Sequence, residues 1–166
     1  NILRQGIKTG ETKLELYYKL PTSQLNPDTI ENSQKNIFSV TRQLKYKENR
    51  NFSLDLVIFI NGLPVITLEL KNQLTKQNFR DAINQYKNDR HPRELLFQFK
   101  RCLVHFALDT DEVWMTTKLD GKNTEFLPFN KGKKSNSALL FPDTAGNPPN
   151  PNHIKTDYLW KEILAK

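Results

Sequence analysis

The sequence predicts an α/β fold, a central mixed β-sheet flanked by helices, and three observations carry that expectation. Apolar runs of strand length lie on both sides of one well-formed amphipathic helix; one of those runs ends in an Asn-Gly turn; and 166 residues suffice to bury one core without disulfides or a structural metal. Residues 14–18 (Leu-Glu-Leu-Tyr-Tyr) alternate as a strand does and stop short of Pro21, and residues 22–34 are polar and turn-rich. Residues 37–41 and 52–60 predict strands, the second so continuously apolar that it suits the interior of a sheet. Asn61-Gly62 is a hairpin signal, and residues 64–71 supply the returning strand. Between Lys76 and Asp89, the side chains of Phe79, Ala82, Ile83 and Tyr86 fall on one helical face, with Pro92 just beyond the end. Residues 103–108 and 113–117 predict two further strands joined by the polar turn 109–112. Residues 130–152 carry basic clusters, glycines and Pro148-Pro149-Asn150-Pro151 with little periodicity, which predicts a Pro/Gly-rich loop. Tyr158, Leu159, Trp160, Ile163 and Leu164 predict a closing amphipathic helix. The expected organisation is one domain over residues 1–152, with residues 153–166 leading out of it. A first residue that is not Met, and an end inside an amphipathic pattern, predict that the chain is part of something longer.

Composition narrows the function classes. The 25 Lys and Arg outnumber the 18 Asp and Glu, a net charge of +7 that favours polyanionic partners through attraction and counterion release, although Lys-rich surfaces also serve solubility. Cys102 is the only cysteine, sits in an apolar run and predicts a buried thiol in a reducing, cytoplasmic setting. No apolar run approaches the roughly 20 residues of a membrane span. A phosphate-cradling Gly-x-x-x-x-Gly-Lys-Ser/Thr loop is missing, so an ATP site is not expected in this chain.

The chemistry concentrates in Asp55, Glu69 and Lys71. An ionised Asp inside an apolar strand costs several kcal/mol unless paired or metal-bound. Two adjoining strands here bring together an Asp, a Glu and a Lys. Their faces depend on the turn. A plain two-residue turn at Asn61-Gly62 pairs residues whose numbers sum to 123 and leaves Asp55 and Glu69 on opposite faces. A three-residue connection, or an equivalent bulge, makes Asp55 oppose Glu69. Convergent carboxylates suit Mg²⁺, which takes one or two of them plus water and phosphate oxygens; such an ion polarises a phosphate and acidifies a water that the Lys71 ammonium can orient. The bland reading is a strand-entry Asp and an exposed Glu-x-Lys pair on a half-solvated sheet.

Asp55, the hairpin and Glu69-Leu70-Lys71 resemble the Asp…Glu-x-Lys signature of the PD-(D/E)xK nuclease superfamily. Over a longer span, residues 55–64 (Asp-Leu-Val-Ile-Phe-Ile-Asn-Gly-Leu-Pro), Glu69-Leu70-Lys71-Asn72, residues 101–106 and residues 147–151 resemble the amino-terminal nuclease domain of the R subunit of type I restriction-modification enzymes. The resemblance implies a restriction-endonuclease-like core and Mg²⁺-dependent cleavage of double-stranded DNA. It implies metal binding by Asp55, Glu69 and the carbonyl of Leu70, with Lys71 catalytic. It further implies an ATP-driven motor beyond Lys166, which alone would use ATP, and modification and specificity subunits as partners. The chain departs from the superfamily pattern at Leu54, where Pro is common, and at Gln85-Tyr86, where relatives space Gln and Tyr four apart. The alternatives are a non-catalytic DNA-binding or assembly module, and an RNA or repair nuclease of the same superfamily.

Other residues divide between two readings. Gln85 lies off the apolar stripe and faces either DNA phosphate, a site carboxylate or solvent, while Tyr86 shares the stripe and suits core packing. Lys87, Arg90 and Arg93 surround the helix end, where they can hold DNA phosphates or complement the helix dipole. His91 and His105 lack partners at zinc spacing and are expected to be structural, and Trp114 and Trp160 to be core or interdomain anchors.

Overall fold

The computed structural model describes residues 2–23, 25–47, 52–134, 143–144 and 146–165. A short helix α1 (Ile2–Gln5) and a small hairpin of β1 (Ile7–Thr9) and β2 (Thr12–Leu14) come first. The strand expected at residues 14–18 does not form beyond Leu14. Its backbone is held instead by side-chain amides: Asn36 donates to the Tyr18 carbonyl and accepts from its N–H, and Asn61 donates to the Leu16 carbonyl. The turn-rich stretch 22–34 contains a helix, α2 (Pro27–Gln34), because Asn26 accepts from the N–H groups of Asp28 and Thr29 and Pro27 occupies the first turn.

The central sheet has six strands in the order β3 (Phe38–Lys45), β4 (Ser53–Ile60), β5 (Leu63–Leu70), β6 (Val104–Leu108), β7 (Val113–Thr116) and β8 (Leu127–Pro128). All neighbours are antiparallel except β5 and β6, whose parallel pairing is bridged by the crossover that carries helix α3 (Phe79–Asp89). The sheet is therefore mixed, as expected, and β4 lies one strand in from its edge. After a 3-10 turn (Gln73–Thr75) and three intervening residues, helix α3 starts with a full capping box. The Asn78 side chain accepts from the Arg80 N–H, and the Asp81 carboxylate accepts from the Asn78 N–H. Asp109, buried in the β6–β7 turn, accepts from the Phe79 N–H and so pins the helix to the sheet.

Two apolar cores result. Leu54, Val57, Ala82, Tyr86, Phe97, Ala107 and Leu119 pack between α3 and one face. Leu68, Phe106, Leu108 and Val113 pack on the other against Tyr158 and Leu159. The closing segment is a five-residue π-helix (Leu159–Ile163), shorter than the helix its pattern predicts, and it packs onto the sheet. Trp160 is exposed, whereas Trp114 stacks on Phe79 at 5.4 Å. Within the expected 130–152 loop, β9 (Lys133–Lys134) pairs with β10 (Asp143–Thr144); residues 135–142 and 145 lie outside the described residues. Among the described residues no helix is long and apolar enough to cross a membrane.

Candidate active site

The hairpin between β4 and β5 solves the register problem with a bulge. Asn61 and Gly62 both have positive φ (50° and 80°), the two-residue turn that an Asn-Gly pair favours. Ile60 opposes Leu63 and Phe59 opposes Pro64, sums of 123, but past the bulge Ile58 opposes Ile66 and Leu56 opposes Leu68, sums of 124. Val65 is the extra residue; its carbonyl leaves the hairpin and accepts from the Leu103 N–H at 2.8 Å. Continued one residue further, the register sets Asp55 opposite Glu69, so both side chains lie on the α3 face.

Each carboxylate is held by dedicated donors. Asp55, half-buried, accepts at Oδ2 from the Leu70 N–H (2.8 Å) and at Oδ1 from Gln43 Nε2 (2.9 Å), while Gln43 Oε1 accepts from the Ser53 hydroxyl. Gln43 stands at φ 49° inside a β-strand, a left-handed conformation that non-glycine residues avoid. Glu69 is fully buried. Its Oε1 accepts from both Nε (2.7 Å) and Nη2 (2.6 Å) of Arg90, itself only 2 % exposed. Arg90 is anchored in turn to the Tyr46 hydroxyl and the Ser53 carbonyl. Oε2 of Glu69 is buried and meets no hydrogen-bond donor.

Burial pushes the Glu69 carboxyl up, to about 8, against the pull of Arg90, and the charge of Asp55 adds to the rise. Among the described residues no group of three or more His, Cys, Asp or Glu converges; Asp55 and Glu69 are two carboxylates, and a hard ion such as Mg²⁺ takes one or two of them with its remaining positions filled by carbonyl, water or phosphate oxygens.

Lys71, half-buried just past the end of β5, donates from Nζ to Gln85 Oε1 at 2.6 Å. Gln85 thus meets Lys71 rather than only solvent. Tyr86 is wholly buried, and its hydroxyl bonds Thr67 Oγ1, which also meets His105 Nδ1. Burial lowers His105 to about 4, leaving it neutral, and raises Cys102 to about 11. His91 is exposed, Lys87 half-buried and Arg93 exposed. Arg90 departs from the picture of a solvated cation at the helix end, because its guanidinium points inward onto Glu69. The sequence held the clue: position 90 is four residues past Tyr86 and continues the buried stripe of α3, so a charge there needs a buried partner. Gln43 had no comparable signal, since its role depends on a strand pairing and a backbone twist that no local pattern records.

A family model described as the type I restriction enzyme R protein N terminus matches residues 3–124. Two Methanocaldococcus jannaschii proteins, provisionally named as type I restriction enzyme endonuclease subunits MjaVIIIP and MjaIXP, are 37 % identical over 78 residues and 38 % identical over 79 residues. Those alignments cover 46 % and 45 % of this chain but only 7 % and 8 % of the relatives, so the chain spans a small part of their length. No solved structure matches.

Proposed function

The chain belongs to the family of type I restriction enzyme R protein N termini, and on that premise we propose that it is the DNA-cleaving domain of such a subunit, a Mg²⁺-dependent endonuclease. One observation carries the reading: a bulged hairpin turns Asp55 and Glu69 to one face and leaves a buried Glu69 oxygen without a partner. Asp55, Glu69 and the Leu70 carbonyl are the groups that would hold the metal. When bound, Mg²⁺ would polarise the scissile phosphate and acidify an attacking water. Gln43 and the Leu70 N–H fix the Asp55 carboxylate, so its orientation costs nothing at the moment of reaction. Gln85 holds the Lys71 ammonium, the group that in this reading orients water or meets charge developing on the phosphate. Lys87 and Arg93 at the helix end are candidate phosphate contacts; Arg90 serves Glu69 instead.

Double-stranded DNA, modification and specificity subunits, and a separate ATP-driven motor are the partners this reading entails. The test is mutagenesis of the full R subunit in its complex. Asp55→Ala, Glu69→Ala and Lys71→Ala should each abolish DNA cleavage while ATP hydrolysis continues at the parental rate. Cleavage persisting in Asp55→Ala and Glu69→Ala would leave a DNA-binding or assembly module.

A further inference from the structure

We propose that Arg90 is a positioning residue that makes Glu69 a one-oxygen ligand: it occupies Oε1 from two guanidinium nitrogens and leaves Oε2 as the only carboxylate atom open to a divalent cation. The proposal rests on the metal-site reading above. A guanidinium is a rigid planar fork, and this one is fixed by two further hydrogen bonds and by burial. Nη1 donates to the Tyr46 hydroxyl at 3.0 Å, Nη2 donates to the Ser53 carbonyl at 2.7 Å, and the whole group is 2 % exposed. Tyr46 and Ser53 come from the end of β3 and the start of β4, so the fork ties Glu69 on β5 to the two strands that carry Gln43 and Asp55. A carboxylate whose second oxygen is engaged in this way cannot rotate to chelate a metal with both oxygens. The coordination position so spared stays available for water or a phosphate oxygen, which an ion such as Mg²⁺ needs for hydrolysis. Simple charge balance would not require this geometry; an ammonium would supply it.

That contrast defines the test. Arg90→Lys keeps the charge but cannot hold Oε1 and the Ser53 carbonyl together. In the full R subunit, Mn²⁺ binding is followed by electron paramagnetic resonance, and the site is taken as the component lost in Asp55→Ala, which separates it from metal at the motor. The expected result is Mn²⁺ affinity within about threefold of the parent but cleavage slower by on the order of a hundredfold, the scale of a misplaced reacting group. Tyr46→Phe, which removes one anchor of the fork and keeps the ring, should shift cleavage the same way by severalfold without changing the melting temperature. Parental cleavage in Arg90→Lys would show that charge alone suffices and overturn the proposal. A loss of cleavage that disappears when rates are corrected for the folded fraction would reduce Arg90 to a structural ion pair and also overturn it. A parent protein with no Asp55-dependent Mn²⁺ signal would overturn the metal-site reading itself, an outcome distinct from either.

Discussion

Both faces of the sheet carry an apolar core, but only the α3 face also buries a polar network. Beneath α3, Thr67 and Glu69 of β5 meet Tyr86, His105 and Arg90, a buried network of polar groups. On the reverse, Leu68, Phe106, Leu108 and Val113 meet Tyr158 and Leu159. A partly satisfied polar interior is costly, and an apolar one is not. The contrast teaches that apolar burial on both faces, undiluted on the reverse one, lets the α3 face hold two acids and an orphaned oxygen.

The largest effect that can break this contrast is on the reverse face. Leu159→Ala should destabilise the chain by about 2–5 kcal/mol, since it is fully buried, yet leave cleavage per folded molecule unchanged. Denaturant unfolding and cleavage rates corrected for folded fraction check both halves. Next comes the acid limb of stability. His105 is held below its unfolded value of 6.5, so the folded chain binds fewer protons than the unfolded one. Stability from this residue is present above pH 6.5 and is lost as pH falls towards 4, on the order of 3 kcal/mol in all. Glu69 acts with the opposite sign: raised from 4.5 to about 8, it favours the fold at low pH and loses that contribution as pH rises through 8. The difference between the parent and His105→Phe curves of unfolding free energy against pH therefore isolates the histidine, and a flat difference would refute its burial as a neutral ring.

Smaller in energy, but sharper for function, is Lys71→Arg. A planar guanidinium cannot occupy the point that Lys71 Nζ takes against Gln85, so cleavage should fall on the order of a hundredfold with DNA binding and melting temperature nearly unchanged. Rates within a few-fold of the parent at saturating DNA and Mg²⁺ would leave Lys71 as a binding residue only. The smallest effect is Tyr86→Phe, which deletes one buried hydroxyl partner of Thr67 and should cost about 1 kcal/mol without altering the metal response.

Much of this was legible in the sequence. The apolar continuity of residues 54–60, the Asn-Gly turn and the stripe of α3 are local signals, and they place β4, β5 and the helix to within a few residues. The parity of the Asp55 to Glu69 spacing demanded an extra residue in the hairpin, but not where; a three-residue turn and a bulge at Val65 satisfy the same count. The alternating residues 14–18 misled because alternation predicts an extended chain, not which groups bond it, and here the partners are the amides of Asn36 and Asn61. Asn26-Pro27, a cap and first-turn pair, is a local signal for α2 that the polar, turn-rich character of residues 22–34 masked. Arg90 and Gln43 acquire their roles only through contacts 21 and 12 residues away.

The crossover between β5 and β6 has a kinetic consequence. Asp55 and Glu69 belong to one hairpin, a local structure that closes in microseconds. Arg90 and the parallel partner β6 arrive only after a much longer loop closes, and such closure is slow. Until α3 docks, both acids stand in water with their charges hydrated. Docking strips that water from Glu69 and buries the apolar face of α3 in the same step, so the electrostatic penalty of the site falls where apolar burial offsets it.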